Sequence, residues 1–201
     1  MTEETRGMGS FERYGSVMID LETLSTNTDA SIIEIGAVEF SERTGDTGGV
    51  FNVIVDPSEW GQNGRHVDGK TLQWWLSQPD AARMRFAQDA AGTETMTLRD
   101  ALSSLSRFIE GCDSDDADLN VKVWGNGSTM DITALSSAYE HFGMEKPWKF
   151  WAVRDVRTVV DLNPSLKKDT PFTHGIQHSA VSDCKHQIKY LTRILRSVRL
   201  I

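Results

Sequence analysis

Val17-Met18-Ile19-Asp20-Leu21-Glu22-Thr23 carries the first side chains able to do chemistry, two acids one residue apart at the end of an apolar run. On a β-strand, positions i and i+2 share a face, so Asp20 and Glu22 project together. Adjacent carboxylates repel, and a shared divalent cation is one way to keep both ionised. A solvated strand end is the other reading of this pair. Asp131 adds a third carboxylate just after Trp124-Gly125-Asn126-Gly127. That is a strand-to-helix junction, where ligand sites of α/β sheets gather and glycine lets backbone approach closely. An aspartate there also offsets a helix dipole with no further role. His178 and Asp183 come last. Five residues of regular helix turn through roughly 500°, leaving the two side chains about 140° apart. They can face one cleft only if His178 precedes the helix and Asp183 lies in its first turns. Four acids in one cleft would each repel a neighbour ~4 Å away by about 4 kcal/mol at an effective dielectric of 20. Two Mg²⁺ or Mn²⁺ ions would turn that burden into a phosphodiester-cleaving site.

Length and composition bound the rest. A chain of 201 residues with 39% hydrophobic and 25% charged residues reads as one ordinary globular domain, residues 15–201, behind a polar and flexible N-terminus, 1–14. No apolar run approaches the ~20 residues of a membrane span, and the N-terminus lacks an apolar signal core, so a cytoplasmic protein with no membrane partner is expected. Cys112 and Cys184 match no zinc spacing and are expected as free thiols. A net charge of −8 argues against a protein that grips long duplex DNA. It leaves room for a nucleic-acid enzyme whose acids bind cations.

The elements that must position these residues are legible from pattern. Residues 24–29 read as a loop, and 31–40 as a strand in which Ile33, Ile35 and Ala37 alternate with Glu34 and Gly36. A turn over 43–49 leads to a third strand over 50–55, giving an antiparallel meander. Helices are expected over 70–76 and 79–88, then after Thr97, which can cap a helix carrying Leu98, Leu102, Leu105 and Ile109. An acidic loop covers 111–120. A short strand over 121–124 precedes a helix over 130–142. A fifth strand over 148–153, a helix over 154–162, a loop over 163–175 and a terminal helix over 179–198 complete a mixed α/β sheet flanked by helices.

The residues Asp20-Leu21-Glu22-Thr23, Asp131, and His178 with four residues before Asp183 resemble, in order and separation, the three motifs of the DEDDh 3′–5′ exonucleases of the RNase H-like fold. Within that superfamily the strings Thr71-Leu72-Gln73-Trp74-Trp75, 150–157 and 178–184 are most similar to the phage exonuclease A group and its exoribonuclease relatives. The resemblance implies that Asp20 bridges two metals while Glu22 and Asp183 complete the site holding the nucleophilic water. It implies that Asp131 supports the second metal and His178 acts as general base. It also implies release of nucleoside 5′-monophosphates from single-stranded DNA or RNA 3′ ends, and a possible homodimer. A nuclease confined to very short oligonucleotides and a silent nucleic-acid-binding module are the competing readings.

Substrate contacts are expected from Thr23, Trp75, Asn126 and Arg154. Trp74 and Trp75 are both expected in the core, although an exposed one could stack a terminal base. Arg154 and Arg157 could reach phosphate, or one of them could pair with Asp155. Phe172 could wedge a base or cover the core. On the terminal helix, Ile188, Leu191, Leu195 and Val198 form an apolar stripe, and Lys185, Lys189, Arg193 and Arg196 a basic one. The basic stripe is expected to be a solvated face, with contact to a strand backbone as the other reading.

Overall fold

The computed structural model describes residues 14–61, 64–84, 95–112, 121–173 and 175–199. Its frame is a six-stranded mixed sheet whose strands lie in the spatial order Thr95–Met96 (β4), Thr47–Val55 (β3), Ile32–Phe40 (β2), Ser16–Thr23 (β1), Lys122–Gly125 (β5) and Val153–Asp155 (β6). β1 (Ser16–Thr23) lies inside it, antiparallel to β2 (Ile32–Phe40) and parallel to β5 (Lys122–Gly125). β3 (Thr47–Val55) completes the meander, β4 (Thr95–Met96) adds a parallel edge, and β6 (Val153–Asp155) lies parallel beyond β5.

The helices cover both faces. α3 (Leu98–Gly111) and α4 (Asp131–His141) pack Leu102, Leu105, Ile109 and Leu135 against Val17, Ile19 and Leu21. On the other face, α7 (Ala180–Arg199) packs Cys184, Ile188 and Leu191 against Met18, Val38 and Phe40. The alternation of β1 therefore sends Asp20 and Glu22 toward α7, the helix that carries Asp183. Thr97 caps α3 as its position predicts, its hydroxyl accepting from the Asp100 N–H at 3.1 Å. Neither cysteine forms a disulfide, and both are buried. No helix among the described residues is long and apolar enough to cross a membrane.

Several boundaries differ from expectation. β3 begins at Thr47, because Thr47 pairs with Phe40 past an irregularity in β2 and Gly49 N–H donates to Glu39 Oε2 at 3.0 Å. The strand expected over 148–153 is a 3-10 turn at Phe150–Ala152 leading into β6, since only Val153–Asp155 reach β5. The next helix, α5 (Val156–Val160), starts after Asp155, whose carboxylate accepts from Thr158 N–H. The loop over 163–175 contains α6 (Pro164–Lys168), with Pro164 in the first turn, where its missing N–H costs nothing. α1 (Gly69–Ser77) matches, whereas of the helix expected over 79–88 the described part is α2 (Asp80–Arg83). The acidic stretch at 113–118 and the N-terminal residues 1–13 lie outside the described residues. Trp74 departs from the expected core packing: it is 42% exposed, while Trp75 is buried.

Candidate active site

Asp20 sits where β1 leaves the middle of the sheet, level with the end of β5 at Gly125. Its carboxyl is pushed well above the usual range, first by burial and then by the charges of Asp131, Glu22 and Asp183; a hydrogen bond from Gln187 opposes the rise. That bond, Gln187 Nε2 to Asp20 Oδ1, is 2.7 Å long. Glu22 is buried two residues along the same face. Asp131, also buried, occupies the first turn of α4, placed there by the turn after Gly125. Burial raises Asp131 to about 7, against the pull of the Leu21 backbone N–H, the Arg157 charge and the Asn126 backbone N–H.

The third group comes from the start of α7. Glu22, His178 and Asp183 each present a ligand atom within 4.8 Å of the others. His178 lies two residues before the helix with φ of 63°, a left-handed conformation that side chains seldom adopt. That turn lets it face the same cleft as Asp183, which the helical angle alone would forbid. Burial pulls its imidazole below the ordinary value, favouring the neutral ring. Trp74 stands edge-on to it with ring centroids 4.9 Å apart.

Asp20 and Asp131, whose ionised forms burial disfavours, together with Glu22 and Asp183 offer oxygen donors that suit hard divalent cations such as Mg²⁺ or Mn²⁺. The residues present therefore fit the metals that the sequence motif implies.

Beside Glu22 opens a pocket of about 470 Å³, walled by Thr23, Ser25, Lys70, Trp74, Trp75 and Met130 among others. Trp75 donates its indole N–H to the Thr23 carbonyl at 2.9 Å, and the Thr23 hydroxyl donates to the Ser25 carbonyl at 2.7 Å. Thr23 and Trp75 thus form this wall. Trp74 offers the exposed aromatic surface.

Asn126 lies beside Asp131 with its Oδ1 buried and unpartnered. Arg154 donates from Nη1 to the carbonyls of Trp151 and Val153 at 2.7 and 2.9 Å. Arg157 is the arginine whose charge reaches Asp131, and it packs against Gly127. Asp155 accepts from the backbone N–H groups of Ser128 at 2.6 Å and of Thr158, and the Arg157 backbone N–H also favours its carboxylate. Phe172 packs on His186, centroids 5.1 Å apart.

Sequence reasoning missed three supports. Gln187 follows Asp183 by four residues, hence on nearly the same helix face, and that spacing could have found it. Glu34 is fully buried on β2, opposite Glu22, and accepts from Ala180 N–H at 3.4 Å. Gly36 is where α7 touches the sheet: a Cβ there would lie 2.6 Å from the Ala180 carbonyl carbon and 2.7 Å from the Val181 nitrogen. Neither Glu34 nor Gly36 carries a local signal.

Comparison with known proteins places the chain in a family. Residues 15–195 match the family model described as the 3′-5′ exoribonuclease Rv2179c-like domain. A phage T4 protein named exodeoxyribonuclease is 22% identical over 207 residues, covering 89% of this chain and 88% of its own length. Among solved structures, the nuclease domain of 3′hExo, described as a DEDDh family member bound to rAMP, superposes with a TM-score of 0.60 at 14% identity, covering 90% of this chain and 92% of that one. Exonuclease X in complex with 5′ overhanging duplex DNA gives 0.55 at 16% identity, with the same coverage. At these identities the structural likeness speaks for the fold, an RNase H-like exonuclease architecture.

Proposed function

Because the chain belongs to the Rv2179c-like 3′–5′ exoribonuclease domain family, we propose that it hydrolyses single-stranded nucleic acid from the 3′ end, releasing nucleoside 5′-monophosphates. The observation that carries this reading is the convergence of Asp20, Glu22, Asp131 and Asp183, with His178, at the end of β1. The four carboxylates would hold two divalent cations, which when bound supply a water of lowered pKa and stabilise charge on the phosphate and the leaving oxygen.

The protein's own groups do the rest. His178, kept neutral by burial, accepts the proton of the attacking water at a ring nitrogen. Trp74 against its edge and the left-handed backbone turn hold the ring in place. Gln187 orients Asp20. The pocket beside Glu22 receives the terminal nucleoside, with Trp74 as the surface on which a base can stack.

The test uses 5′-labelled RNA and DNA oligomers of two to twenty nucleotides, with free or recessed 3′ ends, titrated with Mg²⁺ and Mn²⁺. A metal-dependent ladder shortening from the 3′ end is expected, abolished by Asp20→Asn. No hydrolysis of either strand, or wild-type rates from the variant, would overturn the reading. The same series decides between RNA and DNA and shows whether cleavage is confined to the shortest strands.

A further inference from the structure

The four basic residues along α7 do not act alike. Arg193 Nη1 donates to the Asp169 carbonyl at 3.2 Å and to the Thr170 hydroxyl, and Arg196 Nε donates to the Thr192 carbonyl at 3.2 Å. Both are spent on the protein's own backbone and loop. Lys185 and Lys189 are exposed, and neither pairs with a carboxylate among the described residues.

These two lysines line a second pocket of about 190 Å³, together with Thr173, Gly175, Ser182 and His186. Every polar side chain among these six residues can donate a hydrogen bond, two carry positive charge, and none is an acid. Lys167 adds to the field: its charge and that of Lys189 both bear on His186. The pocket is also held in shape. Gly175 has φ of 87° and presses so close to α7 that a Cβ there would meet Ser182 Oγ at 2.3 Å, and Lys189 Nζ donates to the Thr173 hydroxyl at 3.5 Å.

Its position relative to the carboxylates is set by the helix. Ser182 precedes Asp183 directly, His186 lies about 60° around the axis from it, and Lys189 lies about 9 Å further along. Lys185 and Lys189 themselves lie about 160° and 120° around the axis from Asp183, so the wall occupies the neighbouring flank of α7, and a strand held by its 3′ end at Asp183 would reach it by turning around the helix. In a chain of net charge −8, with four acids at the cleft floor, such a strand needs a cationic surface beside the site. We propose that the pocket that α7 forms with Thr173 and Gly175 binds phosphodiesters of the strand upstream of the scissile bond, through Lys185 and Lys189. The proposal rests on the nuclease reading for the identity of its ligand and for the polarity of the bound strand.

The experiment measures binding without turnover. A fluorescein-labelled ten-nucleotide oligothymidylate is titrated with the full chain in EDTA across 50–500 mM salt, for wild type, Lys185→Gln/Lys189→Gln, and a control of equal charge change before β6, Lys146→Gln/Lys149→Gln. Single-strand contacts contribute a log–log salt slope of about 0.7 each. The pocket variant should flatten the slope by about 1.4 and weaken binding roughly 25-fold at 0.1 M salt. The control should change neither by more than a fraction of this. With Mg²⁺, the ratio of kcat/KM for the ten-mer over a dinucleotide should fall in the pocket variant.

An unchanged slope, an equal effect of the control, or a loss equally large on the dinucleotide would overturn the proposal. So would a wild type that does not bind the ten-mer. If wild type binds with the steep slope, loses it in the pocket variant and yet hydrolyses nothing, the pocket stands and the nuclease reading falls.

Discussion

Removing the charge of Asp131 should stabilise the metal-free protein while disabling it. Burial lifts this carboxyl from 3.8 to about 7. A raised folded value means that the folded chain keeps its proton at pH values where the unfolded chain has released it. The associated stability is complete below the unfolded value and is lost as pH rises through about 7. At pH 8 the loss amounts to about 4 kcal/mol, at 1.36 kcal/mol per pK unit. An asparagine cannot ionise and avoids that loss, but it presents one amide N–H₂ where Asp131 has an acceptor for the Leu21 or Asn126 backbone N–H, a mismatch costing about 1–3 kcal/mol.

The net gain of Asp131→Asn at pH 8 in EDTA is therefore about 1–3 kcal/mol. For a domain of this size, that raises Tm by about 2–12 °C. At pH 4 the gain vanishes and only the mismatch remains. The quantity to follow by differential scanning fluorimetry is the difference between variant and wild type, which cancels the acid lability they share. Added Mg²⁺ should raise the wild-type Tm more than that of the variant, because ligand bound to the folded state alone stabilises by mass action. A variant no more stable than wild type at pH 8, relative to pH 4, would refute the claim that Asp131 is buried against its own charge.

The imidazole of His178, lowered by burial, should give a pH–rate profile whose rising limb lies below the ordinary 6.5 and is level by pH 8. Its replacement by alanine should reduce kcat by about 10²–10⁴, and a wild-type-like rate from that variant would remove the base. Gly36→Ala drives a methyl group into the Ala180 and Val181 backbone, where no rotamer can yield. We expect a loss of about 1–3 kcal/mol in thermal unfolding, with a larger fractional loss of kcat as Asp183 is displaced; an unchanged melt would show that α7 gives way freely. Trp75→Ala should destabilise by about 3–5 kcal/mol, because that ring is buried and bonded to Thr23. Trp74→Ala should leave the melt nearly unchanged and raise KM by an amount equivalent to ~1–3 kcal/mol, and a KM equal to wild type would exclude base stacking there.

Whatever obeys a short period was legible in the chain itself. Parity along β1 put Asp20 and Glu22 on one face, and the repeat of Leu98, Leu102, Leu105 and Ile109 drew the buried side of α3. The turn angle of a helix said that His178 had to precede α7 if it was to meet Asp183. Boundaries over 148–162 were not legible, because residues of mixed character there become strand only where β5 runs beside them.

The supporting cast belongs to the tertiary structure alone. Gln187 finds Asp20 across 167 positions, and Glu34 reaches Ala180 across 146. Gly36 reads as one more residue of an alternating strand until α7 lies against it. Trp74 and Trp75 are neighbours in sequence, yet one packs and the other stays open. Likewise, four basic residues of one stripe divide into two that bond the backbone and two that line a pocket. Local periodicity says which way a side chain leaves its own element. What it meets depends on how elements far apart in the chain settle against each other, and that is decided by burial of the whole core.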